Sequence, residues 1–208
     1  MQPAVFVVDD DEAVRQSIVF LMRASGYVSR GFASPTAFLS ELSPDNSGCI
    51  ITDVRMPDMD GLELVAKLAE RDCIMPVIMI TGHADVATVV RAMKSGILEF
   101  IEKPFDAQAL LEAVEAGLEQ AARRQSVRAR QSAAKARLAK LTDREAEVLE
   151  RLIDGLTSRA IGKALAISAR TVEGYRANIM LKMQVDSIPE LVRTMIDLRA
   201  APAHGPLH

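Results

Sequence analysis

The sequence predicts an α/β domain with a five-stranded parallel sheet, then a long helical linker and a small all-α domain. In the first part, short β-branched apolar runs alternate with segments of helical periodicity, a pattern typical of a parallel sheet covered on both faces. The chain then turns basic and loses its apolar stripe, and its last third shows helical periodicity around a short turn. The predicted boundaries are 1–119 for the α/β domain, 120–140 for the linker, 141–199 for the helical domain and 200–208 for a disordered tail.

Composition indicates an ordinary globular protein. Of the 208 residues, 49% are hydrophobic and 25% are charged. The sequence has no apolar run of 18 residues and no basic leader, so we expect neither a membrane span nor a secretory signal, and a cytoplasmic location. Cys49 and Cys73 lie outside any metal-binding or disulfide pattern and are predicted to be reduced thiols.

The elements of the first domain follow from the two periodicities. Val14, Ile18 and Leu21, for example, have helical spacing directly after an apolar β-branched run. Strands are predicted over Ala4–Val8, Tyr27–Phe32, Cys49–Thr52, Val77–Ile80 and Ile97–Ile101, and helices over Glu12–Arg23, Thr36–Leu42, Leu62–Arg71, Val86–Lys94 and Ala107–Gly117. In such sheets, ligands bind at the carboxyl ends of the strands.

Chemically active side chains follow four of these strands. They are Asp9, Asp10 and Asp11 after the first strand, Asp53 after the third, Thr81 after the fourth and Lys103 after the fifth. Carboxylates that meet at one sheet edge repel one another unless a cation joins them, and Mg²⁺ prefers carboxylate, carbonyl and water oxygens. The lysine and the hydroxyl complete a site for a phosphoryl group. Asp11 fits a helix N-cap as well as a metal ligand, and both interpretations stay open.

The motifs that carry these side chains resemble the receiver domain of two-component response regulators. They are Val7-Val8-Asp9-Asp10, the segment from Asp53 to Gly61, Ile80-Thr81-Gly82 and Lys103-Pro104-Phe105. The resemblance implies a flavodoxin-like fold with Asp53 as the phosphoacceptor. It further implies that Asp10, Asp53 and the Arg55 carbonyl bind Mg²⁺, for which Mn²⁺ could substitute, and that Asp9 acts on the metal mostly through water. Thr81 and Lys103 would hold the phosphoryl oxygens, and the Lys103–Pro104 peptide bond is expected to be cis.

The resemblance also implies a switch residue and a dimer face. Phe100 occupies the switch position, where many receivers have tyrosine, although an ordinary buried aromatic explains it equally well. Val86–Ile101 would form a homodimer face upon phosphorylation, with contacts from Val90, Met93, Lys94, Ile97 and Leu98; helical core spacing explains some of these without a partner. His83 is predicted to be a loop residue at the mouth of the site.

The net charge of −3 hides three different segments. Residues 1–119 contain 9 basic and 19 acidic residues, residues 120–140 contain seven basic residues and no acidic one, and residues 141–208 contain nine of each. The basic segment is either an exposed helix of about 30 Å or a partly frayed linker. Its charges would either approach DNA phosphates or pair with the acidic receiver and hold the linker from DNA.

The last segment predicts a helix-turn-helix. Thr142 and Glu145 form a capping box, and Gly155 ends the helix that follows. A helix over Ser158–Leu165 and a turn at Ala166-Ile167 come next. Ser168 is predicted to be the N-cap of a second helix, which runs to about Met183. In this layout the second helix enters the major groove of DNA.

The residues of this segment resemble the LuxR-type DNA-binding domain, and the whole chain resembles FixJ-type response regulators. The motifs are Leu-Thr-x-Arg-Glu at 141–145, the run from Ile161 to Ser168, Arg170–Glu173, Tyr175-Arg176-Ala177-Asn178 and the run from Asn178 to Met183. The resemblance implies base contacts from Glu173, Gly174 and Ala177, phosphate contacts from Arg170, Thr171, Tyr175, Arg176 and Lys182, and a place for Asn178 in the DNA-binding motif. Gly174 departs from the family, where a larger residue is usual. Glu173 either accepts from a cytosine amine or pairs with a nearby arginine.

The sequence therefore predicts a transcription regulator activated by phosphorylation. Its expected partners are a sensor histidine kinase, promoter DNA and RNA polymerase, and the FixJ resemblance implies activation of oxygen- or nitrogen-related genes. An aspartyl-phosphate phosphohydrolase is the competing class. Such enzymes have a carboxylate two residues after the nucleophile, where this chain has Arg55. A phosphoryl-sink receiver without output is disfavoured by the C-terminal domain.

Overall fold

The computed structural model of the chain describes residues 3–82 and 85–200, apart from the side chain of Ala200. His83 and the predicted disordered tail beyond Ala200 lie outside these residues. The described chain forms two compact units that divide between Ser126 and Val127. Each unit is described by itself below.

The first unit contains a five-stranded parallel sheet in the order β2-β1-β3-β4-β5, which confirms the predicted flavodoxin-like fold. Its strands are β1 (Ala4–Val8), β2 (Val28–Phe32), β3 (Gly48–Asp53), β4 (Val77–Thr81) and β5 (Glu99–Glu102). The β5 strand begins two residues later than predicted because Gly96, with φ of +80°, still turns the chain there. The strand order reverses between β1 and β3, so the crevice where ligands bind in such sheets opens between those two strands.

Helices cover both faces of this sheet. They are α1 (Glu12–Ala24), α2 (Pro35–Glu41), α3 (Gly61–Glu70), α4 (Val86–Lys94) and the first part of α5 (Ala107–Leu138). One apolar cluster lies around Phe38, Leu64 and Met79, and a second, on the opposite face, lies around Ile18, Ile51 and Leu110. The two clusters fix the sheet on both sides, and the carboxyl ends of the strands stay open at one edge.

The α5 helix corrects the predicted linker. It runs without a break from Ala107 to Leu138, so the helical alternative is right and the frayed one is wrong. The prediction that the basic segment has no core face is also wrong in its second half. Ala134 is buried and Leu138 packs against the core of the second unit. An alanine allows close helix packing without adding to an apolar stripe, so the periodicity did not show this contact.

The second unit contains the end of α5 and the helices α6 (Asp143–Ile153), α7 (Ser158–Leu165), α8 (Ala169–Met183) and α9 (Ile188–Ala200). The predicted capping box at Thr142 and Glu145 is confirmed, as is the N-cap at Ser168. The turn between α7 and α8 contains Ala166 in the left-handed region, with φ of 56°. The sequence analysis missed α9, although Leu191, Met195 and Leu198 have helical spacing and pack into the core of this unit.

Among the residues that the structure describes, no helix is both long enough and apolar enough to cross a membrane.

Candidate functional site

An acidic pocket lies at the crevice between β1 and β3. Asp9 and Asp10 follow β1, and Asp53 is the last residue of β3. One carboxylate oxygen from each of these three residues lies within 4.8 Å of the others. Asp9 is fully buried, whereas Asp10 is exposed, so the pocket has one deep carboxylate and one at its mouth.

Lys103 supplies the positive charge of this pocket. Its Nζ lies 3.0 Å from Oδ2 of Asp9 and 3.5 Å from Oδ1 of Asp53. The backbone N–H of Lys103 donates to the carbonyl of Thr81 at 2.7 Å, which ties the end of β5 to the end of β4. The Lys103–Pro104 peptide bond is cis, as predicted.

Asp53 has the electrostatic environment of a reactive carboxylate. Its side chain is 13% exposed, and burial raises its pKa; the Lys103 ammonium opposes this rise and the Asp9 carboxylate adds to it. No described residue donates a hydrogen bond to Oδ1, although this atom is buried. A buried acceptor without a donor carries a cost that a bound cation or a transferred group would remove.

Neighbouring residues fix the position of Asp53. The N–H of Gly61, the first residue of α3, donates to the carbonyl of Val54 at 2.9 Å. A Cβ on Gly61 would lie 2.3 Å from the Asp53 carbonyl oxygen, so only glycine permits α3 to approach the end of β3 this closely. Thr81 is buried at the end of β4, beside β3. Phe100 is half-buried and packs against the core, as expected for an ordinary strand aromatic. Its role as a switch residue stays a prediction.

The structure settles the role of Asp11 and reveals a residue that the sequence analysis missed. The Asp11 carboxylate accepts from the N–H groups of Ala13 and Val14, so it caps α1 and does not enter the pocket. Arg15, on α1, donates from Nη1 to the carbonyls of Asp9 at 2.6 Å and Asp10 at 3.3 Å. The sequence alone could have pointed to Arg15, because acidic residues, not arginine, are preferred at the start of a helix.

The exposed face of α8 carries most of the predicted DNA-contacting positions. Arg170, Thr171, Glu173, Gly174, Ala177 and Asn178 are exposed, and Tyr175 and Arg176 are half-buried. A Cβ on Gly174 would meet no atom within 4 Å, so the glycine leaves open space on this face. Leu181, which the sequence analysis did not select, is 78% exposed and follows Gly174 by two helical turns.

Glu173 pairs with an arginine, the second of its two predicted alternatives. Its Oε1 accepts from Nη1 of Arg176 at 3.0 Å and from the Ser158 hydroxyl at 2.5 Å. Arg176 also donates to the Ser158 hydroxyl at 2.8 Å. The three side chains link the start of α7 to α8, and the arrangement positions the second helix of the motif.

Lys182 is held by an ion pair inside the second unit. Its Nζ lies 2.6 Å from Oε2 of Glu145, which is buried at 3% exposure. The same carboxylate accepts from the backbone N–H of Thr142 at 2.8 Å. These bonds hold the pKa of Glu145 below its ordinary value, mainly through Lys182 and then through Thr142. The Lys182 ammonium, which is predicted to contact a DNA phosphate, is therefore already paired with Glu145.

The predicted dimer residues separate into two groups. Val90, Met93 and Lys94 are exposed on α4. Ile97 is 8% exposed and belongs to the receiver core, and Leu98 is half-buried against the cluster on the other face of the sheet. Core packing therefore accounts for Ile97, the second of the two alternatives for these residues, and its contact with a partner stays a prediction. Val86, the first residue of α4, is exposed and extends the α4 face at its other end.

Comparison with known proteins identifies a family for each of the two parts of the chain. A family model of the response regulator receiver domain matches residues 5–115, and a model of the bacterial regulatory proteins of the luxR family matches residues 139–195. The transcriptional regulatory protein FixJ of Azorhizobium caulinodans is 47% identical over 199 residues, which cover 96% of this chain and 94% of the relative.

Two solved structures match almost the whole length of the chain. The response regulator StyR has a TM-score of 0.82 and 40% identity, with 94% of this chain and 99% of that chain covered. Full-length FixJ from B. japonicum has a TM-score of 0.58 and 39% identity, with 97% of this chain and all of that chain covered. Since the two family models, a relative covered almost end to end and the acidic pocket agree, the chain belongs to the FixJ-type two-component response regulators, which join a receiver domain to a LuxR-type DNA-binding domain.

Proposed function

We propose that Asp53 accepts a phosphoryl group from a sensor histidine kinase in a Mg²⁺-dependent reaction, and that the phosphorylated protein dimerises and activates transcription at its promoters. The observation that carries this proposal is the buried Oδ1 of Asp53, which has no hydrogen-bond donor among the described residues and lies 3.5 Å from Nζ of Lys103. Phosphoryl transfer requires an oxygen nucleophile, which the Asp53 carboxylate supplies, and positive charge near the phosphoryl oxygens, which the neighbouring Lys103 ammonium supplies.

The donor set fits a divalent cation. Asp9, Asp10 and Asp53 place three carboxylate oxygens within 4.8 Å of one another, and a single lysine does not balance their charge. Together with the carbonyl of Arg55, these residues would hold Mg²⁺, with Mn²⁺ as a substitute. The bound ion would neutralise charge on the transferring phosphoryl oxygens.

The residues of the chain perform the rest of the transfer. The nucleophile is a carboxylate oxygen of Asp53, which forms an O–P bond as the N–P bond of the kinase phosphohistidine breaks; the imidazole nitrogen keeps the bonding electron pair. Lys103 and the Thr81 hydroxyl hold the phosphoryl oxygens, and the buried walls of the pocket restrict access of water. Since Arg55 occupies the place where a phosphohydrolase has its general acid, hydrolysis is slow and the phosphorylated state persists.

The output is assigned to α8. Its exposed residues from Arg170 to Asn178, together with Leu181, form the surface that enters the major groove, while the ion pair of Lys182 with Glu145 fixes the end of the helix. In the phosphorylated protein the homodimer forms through Val86, Val90, Met93 and Lys94 on α4. The paired second units then bind a two-fold symmetric site and recruit RNA polymerase.

The test uses the full-length protein with acetyl phosphate as the phosphodonor. We expect one phosphoryl group per chain in the presence of Mg²⁺ and none after chelation. Dimerisation and promoter binding should follow phosphorylation, and both should disappear in Asp53→Asn. The proposal is wrong if Asp53→Asn still responds fully to the donor. Many rapid turnovers of phosphate release would favour the phosphohydrolase, and mapping of genomic binding sites with and without donor tests control of oxygen- or nitrogen-related genes.

A further inference from the structure

We propose that Arg15 is a positioning residue of the acidic pocket, and that Gly31 is the residue that leaves it room. The proposal rests on the proposed Mg²⁺-dependent function of the same pocket. It concerns a side chain that contacts neither the cation nor the phosphoryl group. Its role is to hold the backbone that carries two of the three carboxylates.

The guanidinium of Arg15 binds the backbone between β1 and α1. Nη1 donates to the carbonyl of Asp9 at 2.6 Å and to that of Asp10 at 3.3 Å, which lies at the long end of hydrogen-bond distances. An arginine suits this position because its planar group offers several donors in a fixed geometry. Both carbonyls accept a hydrogen bond from the same nitrogen, so the backbone at Asp9 and Asp10 is held in one orientation. This orientation sets the direction in which the two side chains leave the backbone.

Other bonds fix the residues on either side of Asp10. The N–H of Asp9 donates to the carbonyl of Phe32 at 3.2 Å, and the N–H of Asp11 donates to Oδ1 of Asp9 at 2.9 Å. The Asp11 carboxylate caps α1. Asp10 is exposed, so its carbonyl bond to Arg15 restrains the outer ligand of the pocket.

Gly31 shows that the structure reserves space for the stem of Arg15. A Cβ on Gly31 would lie 3.1 Å from Cγ and 3.3 Å from Cδ of Arg15, and 3.2 Å from Cγ2 of Val19. Gly31 does not have a positive φ, so its backbone conformation does not require glycine. The absence of a side chain at this position is explained by the Arg15 stem and the Val19 side chain, which both pack against Gly31.

This arrangement matters because the carboxylates repel one another. Without a restraint on their backbone, Asp9 and Asp10 would turn their carboxylates away from each other and from Asp53, and both would have to be reoriented when the cation binds. Groups that orient metal ligands without touching the metal typically contribute 10- to 100-fold to metal affinity. Arg15 acts on the backbone rather than on the carboxylates, so we expect an effect of about tenfold.

The alternative is that Arg15 merely joins a helix to a strand, and α1 offers a matched control. Arg23 lies two turns further along α1, and its Nη2 donates to the carbonyl of Ser29 at 3.1 Å, away from the pocket. Both arginines therefore link α1 to neighbouring backbone, and only Arg15 links it to the acidic residues.

The experiment measures the dissociation constant for Mg²⁺ by titration calorimetry on the full-length protein and its variants. Arg15→Gln should raise the constant about tenfold, Arg15→Lys should give an intermediate value, and Arg23→Gln should leave it unchanged. At saturating Mg²⁺, phosphorylation of Arg15→Gln by acetyl phosphate should recover most of its rate. Gly31→Ala, which keeps the guanidinium but crowds its stem, should also weaken Mg²⁺ binding severalfold.

The outcomes separate this proposal from the function on which it rests. If the wild-type protein binds no Mg²⁺ and accepts no phosphoryl group, the proposed function fails. If the wild-type protein does both and Arg15→Gln binds Mg²⁺ equally well, only the role of Arg15 is overturned. An equal loss in Arg15→Gln and Arg23→Gln would also overturn it, because that result indicates a general effect on α1. Should Gly31→Ala fail to fold, the comparison of the Arg15 and Arg23 variants decides alone.

Discussion

Replacement of Glu145 by alanine should destabilise the DNA-binding unit by about 3 kcal/mol. The buried carboxylate accepts three bonds: from Lys182 Nζ at 2.6 Å, from the Thr142 N–H at 2.8 Å and from the Thr142 hydroxyl at 3.1 Å. A hydrogen bond to a charged group contributes about 1.5–3 kcal/mol, and loss of helix capping costs about 1 kcal/mol. In the variant, water can solvate the Lys182 ammonium, because the Lys182 side chain is 34% exposed. The full cost of an unpaired buried charge therefore does not apply.

Hydrogen exchange followed by mass spectrometry on the full chain measures this effect by region. In Glu145→Ala, amides of α6 and α8 should exchange about 150-fold faster, which corresponds to 3 kcal/mol. Amides of β1 and β3 serve as an internal reference and should not change. The matched control is Glu147→Ala on the same helix, where an exposed pair with Arg144 at 2.8 Å contributes no more than about 0.5 kcal/mol.

The ion pair also predicts a pH dependence. Because the pKa of Glu145 is lowered in the folded state, its stabilisation is fully present above the pKa of an unfolded glutamate, about 4.3, and is lost as the pH falls through the lower folded value. Protection of α6 should therefore decline on acidification more steeply in the wild type than in Glu145→Ala. Equal exchange in the Glu145 and Glu147 variants, or parallel acid profiles, would refute this assignment of the buried pair.

Three further predictions follow from packing. Gly61→Ala places a Cβ 2.3 Å from the Asp53 carbonyl and should cost about 1–3 kcal/mol and slow phosphorylation by acetyl phosphate. Gly174→Ala, whose Cβ would meet no described atom within 4 Å, should leave phosphorylation unchanged. Met93→Glu changes a side chain that is 49% exposed on α4, so the protein should fold normally but stay monomeric with donor in sedimentation velocity, while Phe20→Glu on α1 should still dimerise. Ala134→Glu should destabilise the second unit by at least about 2 kcal/mol in thermal unfolding, because it buries a carboxylate, and Ala133→Glu at an exposed position should not.

The sequence predicted the fold and the members of the acidic pocket because both depend on local patterns. Apolar runs place strands, and a strand end places the residue that follows it, so Asp9 and Asp53 could be assigned to one edge before any coordinates. Contacts between distant parts of the chain could not be predicted in this way. The pair of Lys182 with Glu145 joins residues 37 positions apart. In the sequence, the capping box already explained Glu145 and a DNA-phosphate contact already explained Lys182.

The burial of some side chains could not be predicted from the sequence, because pattern analysis classifies side chains by polarity alone. Ala134 and Ile97 illustrate the two directions. Ala134 was placed in a segment without a core face because an alanine-rich basic helix lacks an apolar stripe, yet it is buried. Ile97 was assigned to the dimer face through the family resemblance, with core packing as the alternative, and its side chain lies in the core of the first unit. Tertiary packing decides both cases, and periodicity does not contain it.

The net charge of the second unit depends on where the boundary between the two units is drawn. With boundaries taken from sequence pattern, residues 141–208 contain nine basic and nine acidic residues and form a neutral domain. The compact second unit begins at Val127, so it also includes the five basic residues between Val127 and Lys140, and residues 127–208 contain 14 basic and 9 acidic residues. A unit with five excess positive charges attracts a phosphate backbone at a distance, and each phosphate that it neutralises contributes about 0.9 to the slope of log affinity against log salt. Ala134 is buried at the end of α5 and Leu138 packs against the core of this unit, so these charges belong to the part of the chain that contains the helix-turn-helix. Net charge therefore gives no reason for a single second unit to bind DNA weakly. In the proposed function, the advantage of the dimer comes from the small contact surface of a single α8 helix.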